Sequence, residues 1–145
     1  MPWYEYSAAA QEGRPSQPLV AVRLFHGNRQ IQVVALVDSG ADVSVMDASY
    51  AEVLGLDLAE AAESEVTTAG GTTARVLRWL STPLEIQFEN NRFPFKGVFV
   101  KFPEDSDPVN LLGRADFFER YIVQFWDAAE LLNVDLSPDY PRPAP

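Results

Sequence analysis

The chain contains no cysteine, which removes disulfides, thiol catalysis and cysteine-ligated zinc together. Its single histidine, His26, leaves no histidine-rich metal centre, and a serine–histidine triad would have to use that one residue. Basic side chains are scarce: 11 Lys and Arg stand against 21 Asp and Glu, a net charge of −10. That balance argues against nucleic acid as a partner, because such binding works by neutralising phosphate. No apolar run approaches the ~20 residues of a membrane-spanning helix. Met1–Ser7 is aromatic and acidic, without the basic and apolar regions of a signal peptide. The expectation is a cytoplasmic protein with no membrane or nucleic-acid partner. What is present is enough for one core: 145 residues, 47% apolar and 12% aromatic. If the protein is an enzyme, carboxylates are its natural reactive groups.

Turn residues divide the chain into short β-prone runs. Residues 1–17 read as a flexible arm, 18–136 as one domain, and 137–145, with four prolines, as a disordered tail. Leu19–Phe25 and Gln30–Val37 flank a turn at His26–Arg29 and form a hairpin, which places His26 at the surface. Residues 47–56 predict the clearest helix, with Asp47 as N-cap and Gly55 as a left-handed terminator. Residues 63–69 and 72–80 form a hairpin with Gly70 and Gly71 at its tip. Two further hairpins are expected, 84–89 with 92–100 around Asn90-Asn91, and 121–126 with 130–134. A short strand at 110–113 precedes one or two helical turns at 114–120. Trp79, Trp126 and the nine phenylalanines are assigned to the core. Many short strands with little helix indicate an all-β sandwich or small barrel.

The chemistry concentrates in Ala35-Leu36-Val37-Asp38-Ser39-Gly40-Ala41-Asp42. An apolar strand ends on an acid, followed at once by a hydroxyl residue and glycine. A carboxylate delivered this way loses hydration unless donors satisfy it. Gly40 permits a sharp turn, and the Ser39 hydroxyl can lock it. A stiffly held acid of this kind suits acid–base work on bound water or substrate.

In this segment the sequence resembles the aspartic proteases, and within them the retropepsin-like, retroviral-type branch. The Gly70-Gly71 hairpin lies where that family has its flap, and Asn110-Leu111-Leu112-Gly113-Arg114 resembles its second element, an apolar pair with Gly and Arg opening a helix. The resemblance runs from about Leu19 to Val134. It implies a small closed barrel with one or two short helices and a β-hairpin flap. It implies hydrolysis of peptide bonds by a water held between two facing carboxylates that share a proton; aspartic proteases are the standard example of that coupling. This chain has one Asp-Ser-Gly, so the resemblance implies a homodimer with Asp38 and its mate on the symmetry axis. It further implies that Ser39 ties the two acid loops together and that the Gly40 carbonyl accepts substrate main chain. Asp42 would meet the peptide backbone and pair with Arg114. Thr68, Ala69, Gly70, Gly71 and Thr72 would close over substrate. Arg114→Ala should then disturb folding or dimerisation more than chemistry. Because Ala41 carries no hydroxyl to stabilise the charged acid, activity should peak at weakly acidic or neutral pH.

The helix at 47–54 and the hairpin at Asn90-Asn91 make the chain longer than the minimal viral domain. Its C-terminal hairpin prevents transfer of the viral dimer interface. No cofactor or metal is called for: Glu104–Asp107 lacks the spacing and central glycine of a calcium loop. The alternative reading is a non-catalytic peptide-binding or dimerisation module on the same fold.

Overall fold

The computed structural model of the chain describes residues 3–7, 16–67, 71, 73–105 and 107–137. In order it forms β1 (Trp3–Glu5), β2 (Leu19–His26), β3 (Arg29–Val37), β4 (Val45–Asp47), the helix α1 (Ser49–Val53), a 3-10 turn (Leu58–Glu60), β5 (Ala62–Thr67) and β6 (Thr73–Arg78). Then come β7 (Glu85–Phe88), β8 (Asn91–Pro94), β9 (Val98–Lys101), β10 (Leu111–Leu112), a π-helical turn (Arg114–Phe118), β11 (Tyr121–Trp126) and β12 (Leu131–Leu136). Nine strands make one sheet in the order β5-β6-β9-β4-β10-β3-β2-β7-β8, and β1-β12-β11 make a second.

Alternation dictates which side of each strand is buried. Val20, Val22 and Leu24 of β2 and Val33, Ala35 and Val37 of β3 enter the core while their neighbours face outward. Leu77 of β6 and Phe93 of β8, from opposite ends of the large sheet, belong to the same buried cluster. The sheet is therefore curled into a half-barrel around one core. The small sheet covers its open side, contributing Tyr121, Leu132 and Val134. An aromatic knot locks this join: the Phe117 ring lies 4.8 Å from Tyr121 and 5.5 Å from Phe88, centroid to centroid.

Two pairings are parallel, β3 with β10 and β4 with β9. β10 slots between β3 and β4, with Leu111 opposite both Leu36 and Val45. β9 is buried on both faces. Phe99 joins the main core, while Val98 and Val100 join a second apolar cluster with Ala74, Val43, Val45, Val76 and Phe102.

The structure departs from the sequence expectations at several points. Residues 92–100 are two strands, β8 and β9, because the chain breaks at Phe95–Gly97 to bring Gly97 against the Ser44 carbonyl; a Cβ there would sit 2.2 Å from that oxygen. Asp47 ends a strand and does not cap α1 through the expected N-cap position, which Ala48 occupies without a side-chain bond. Gly55 does terminate the helix, at φ +69°. His26 is half-buried, and its Nδ1 meets the Leu54 carbonyl at 2.7 Å, beside the end of α1. Trp126 is 55% exposed, packed edge-on against Trp3 on the outer face of the small sheet. Within the segment read as an arm, Trp3–Glu5 pairs with β12, and the Tyr6 hydroxyl donates to Asp127 Oδ1 at 2.6 Å. Burial and that carboxylate push the Tyr6 pKa up to about 12. The tail beyond Ser137 lies outside the described residues.

The aromatic knot yields a stability test. Phe117→Ala should cost about 3–5 kcal/mol, the usual penalty for emptying a buried aromatic site, read as a lower urea midpoint with an unchanged slope.

Candidate active site

Asp38 is the first residue beyond β3, and the last residues of that strand pair with Leu111 and Leu112 of β10. The Asp38 N–H donates to the Leu112 carbonyl at 3.0 Å, and the Val37 N–H to Pro18 at 3.0 Å. Both sides of the strand end are thereby fixed before the chain turns. The turn itself closes on the acid: the Ala41 N–H meets the Asp38 carbonyl at 3.2 Å, and the Gly40 N–H meets Asp38 Oδ1 at 2.8 Å. A Cβ on Gly40 would stand 3.1 Å from that same oxygen, so glycine leaves room for the carboxylate. Asp38 is half-buried, while Ser39, Gly40 and Asp42 are exposed.

The loop then docks on the π-helical turn. Arg114 N–H donates to the Ala41 carbonyl at 2.9 Å, and Ala115 N–H donates to the Asp42 carbonyl at 3.0 Å. These are orphan donors of a helix start, and here acceptors from the acid loop satisfy them. The Arg114 guanidinium stands 3.8 Å from Asp42 Oδ1, with the side chains 67% and 92% exposed. So open a pair holds at most about 1 kcal/mol. In the single chain, the Arg114 backbone is thus the stronger anchor of the loop.

Beneath the loop is a buried polar network that sequence reasoning missed. Ser44 is fully buried and Asp116 is 4% exposed, and the Ser44 hydroxyl donates to Asp116 Oδ1. The same oxygen receives the Phe117 N–H at 2.7 Å, and Oδ2 receives the Lys96 N–H at 3.1 Å. Ser44 Oγ accepts from the Gly113 N–H at 3.0 Å. Packing here leaves no space for side chains: a Cβ on Gly113 would lie 2.4 Å from the Val43 carbonyl. Burial pushes the Asp116 pKa up, opposed by its three hydrogen-bond donors and assisted by Glu119. The available signal was an acid set between an apolar strand and Phe117-Phe118, where a solvated role is hard to satisfy.

Asn110, quoted in the sequence only as the head of the Leu111–Arg114 element, gains a role here. Its side-chain amide donates to the Val34 carbonyl at 3.1 Å and lies 2.9 Å from the Tyr50 hydroxyl, while its Oδ1 accepts from the Asp47 N–H at 3.1 Å. It ties β3, β4 and α1 together two positions ahead of Leu112. Of the expected flap, β5 and β6 form the hairpin and Gly71 takes φ +81°. Thr68, Ala69, Gly70 and Thr72 lie outside the described residues. Among the described residues no group of three or more His, Cys, Asp or Glu is arranged to hold a metal.

A family model described as "gag-polyprotein putative aspartyl protease" matches residues 25–120. Among solved structures, a retropepsin-like aspartic protease from Rickettsia conorii is similar over 80% of this chain and 80% of its own, with 19% identity and a TM-score of 0.52. EIAV protease, solved in complex with the inhibitor HBY-793, is similar over 78% of this chain and 93% of its own, with 20% identity and a TM-score of 0.48. No curated protein matches the chain.

The buried carboxyl sets a pH test. A carboxyl whose pKa is higher folded than unfolded contributes its full stability below the unfolded value, about 4, and loses it as pH rises through the folded value. The stability advantage of the native chain over Asp116→Asn should therefore be largest in acid and shrink toward neutral pH, measured by urea titrations across that range. Asp116→Ala, which orphans three donors, should cost about 3 kcal/mol.

Proposed function

Because this chain belongs to the gag-polyprotein aspartyl protease family, with a retropepsin-like fold, we propose that it is an aspartic endopeptidase acting through two Asp38 carboxylates, one from each subunit of a homodimer. The observation that carries this reading is the acid loop: a carboxylate at a strand end, half-buried, with its backbone pinned by Leu112 and one oxygen pinned by Gly40. A group so fixed loses little freedom when it engages a substrate. The chain offers one Asp-Ser-Gly, and the chemistry needs two facing carboxylates, which is the reason for a second copy.

In the reaction, the ionised member of the pair takes a proton from water, whose oxygen attacks the scissile carbonyl carbon. The protonated member donates to the carbonyl oxygen, giving a tetrahedral diol. Collapse of that diol returns one hydroxyl proton to the carboxylate that had donated and breaks the C–N bond, and the amine leaves with the proton first taken from water. The exposed Ser39 hydroxyls would join the two acid loops, and the Gly40 carbonyl would accept a substrate N–H. Asp42, steadied by Arg114, would hold the peptide main chain. The hairpin of β5 and β6 would act as the flap, with Thr68, Ala69, Gly70, Gly71 and Thr72 excluding water from the reacting bond. The protein would act within the cytoplasm on peptide or protein substrates and use no cofactor.

Digestion of a peptide library from about pH 3 to 8 tests this. The native chain should cleave, with a maximum above about pH 3 since Ala41 offers the acid no hydroxyl, and Asp38→Asn should lose cleavage by at least about a thousandfold. Light scattering should find a dimer, and Arg114→Ala should weaken that dimer while leaving the single chain's melting temperature nearly unchanged. Peptide binding without turnover by a confirmed dimer would instead support the binding-module reading.

A further inference from the structure

A cavity lies away from Asp38. It measures ≈ 580 Å³, and none of its lining residues belongs to the acid loop or to 110–114. That volume falls in the range of about 300–1,000 Å³ usual for ligand pockets. It is framed by α1, the 3-10 turn that follows, β6 of the flap hairpin and the end of β9. Its apolar wall is Leu56, Leu58, Leu77 and Phe102. Leu58 is 64% exposed, so a large aliphatic side chain stands open at the mouth.

The charged groups around that wall are unequal: Asp47, Glu52 and Asp57 face a single cation, Lys101. Asp47 Oδ1 accepts from the Ser49 N–H at 3.2 Å and Asp57 Oδ1 from the Ala59 N–H at 2.9 Å, so both carboxylates are held in place with one oxygen engaged. The side chains of Glu52 and Lys101 have no hydrogen-bond or ion-pair partner among the described residues. An apolar wall rimmed by an excess of fixed carboxylates is complementary to an apolar group beside a basic one.

The strand β9 identifies the source of such a group. Val98 and Val100 face the apolar cluster shared with Val43 and Val45, directly after the acid loop, and Lys101 and Phe102 at the same strand's end line the cavity. At ~3.3 Å per residue the step from Val98 to Lys101 is about 10 Å. A polypeptide bound at the acid loop would have to run at least that far to reach the cavity. The geometry points to a docking site for a basic, apolar segment, an Arg or Lys next to a Leu or Phe, carried by the protein substrate outside its cleaved bond. The binding itself is independent of catalysis; its purpose rests on the peptidase reading above. Leu77 belongs to β6, so an occupant also packs against the base of the flap.

The experiment is titration of the ¹⁵N-labelled full chain with acetyl-Leu-Arg-Leu-Lys-Phe-amide, and with the same peptide carrying Glu in place of Arg and Lys. The basic peptide should shift the amides of Glu52, Leu58 and Lys101 and weaken with rising salt. Glu52→Lys should reduce affinity about tenfold, and Leu58→Ser should reduce it as well. Both residues are exposed, so these variants should keep the native spectrum. Asp38→Asn, the test of the peptidase reading, should leave this binding in place, which separates the two claims. Shifts confined to Asp38–Asp42, equal binding of the acidic peptide, or no shift at all would overturn the site.

Discussion

The Asp116 carboxylate gathers donors from three separate stretches of chain: Ser44 just past the acid loop, Lys96 ahead of β9, and Phe117 in the helical turn. Each of those stretches borders the loop that carries Asp38. Ser44 in turn receives the Gly113 N–H, and glycines at 97 and 113 allow backbones to touch where any side chain would collide. A polar knot of this kind directs where strands meet, because an apolar contact tolerates sliding and a set of aimed hydrogen bonds does not. The insertion of β10 between β3 and β4 is the geometric result, and the acid loop's position follows from it.

Around this knot the two faces of the large sheet have different duties. One face is the core that Phe99, Leu112 and Phe117 fill, and its job is stability. The other holds the smaller apolar cluster that connects β6 to the residues after the acid loop. β9 belongs to both, which is why three of its four residues are buried. β6 is thus packed against the same strand that flanks Ser44.

The local features were legible in the sequence, and the long-range ones were not. The β2–β3 hairpin announces itself through alternation around Gly27, and Asp38-Ser39-Gly40 and Leu111-Leu112-Gly113-Arg114 stand out as residue types in a telling order. The parallel pairings of β4 with β9 and of β3 with β10 leave no trace in local pattern, since each joins segments far apart in the chain. Three-residue β4 was not anticipated and meets the helix expected at 47–56 only at Asp47, and the break that makes β9 was hidden inside one β-prone run. Asn110 and Asp116 carried no role in the sequence reading beyond a short strand and a helical turn, because only tertiary contacts give their side chains partners. Trp126 reads as core by type, yet it lies on the outer face of the small sheet, where among the described residues it packs on Trp3 and stays 55% exposed.

The order in which the chain is made gives the β3–β10 pairing another meaning. Asp38 has its backbone fixed by Leu112 and its loop docked on Arg114 and Ala115, all far downstream. A ribosome delivers the N-terminal half first, so the β2–β3 hairpin emerges with the acid at a free end and nothing to dock on. The strand that completes it arrives only after β4 to β9 have been made. Until that strand arrives, the acid loop has neither its Leu112 anchor nor its helical dock.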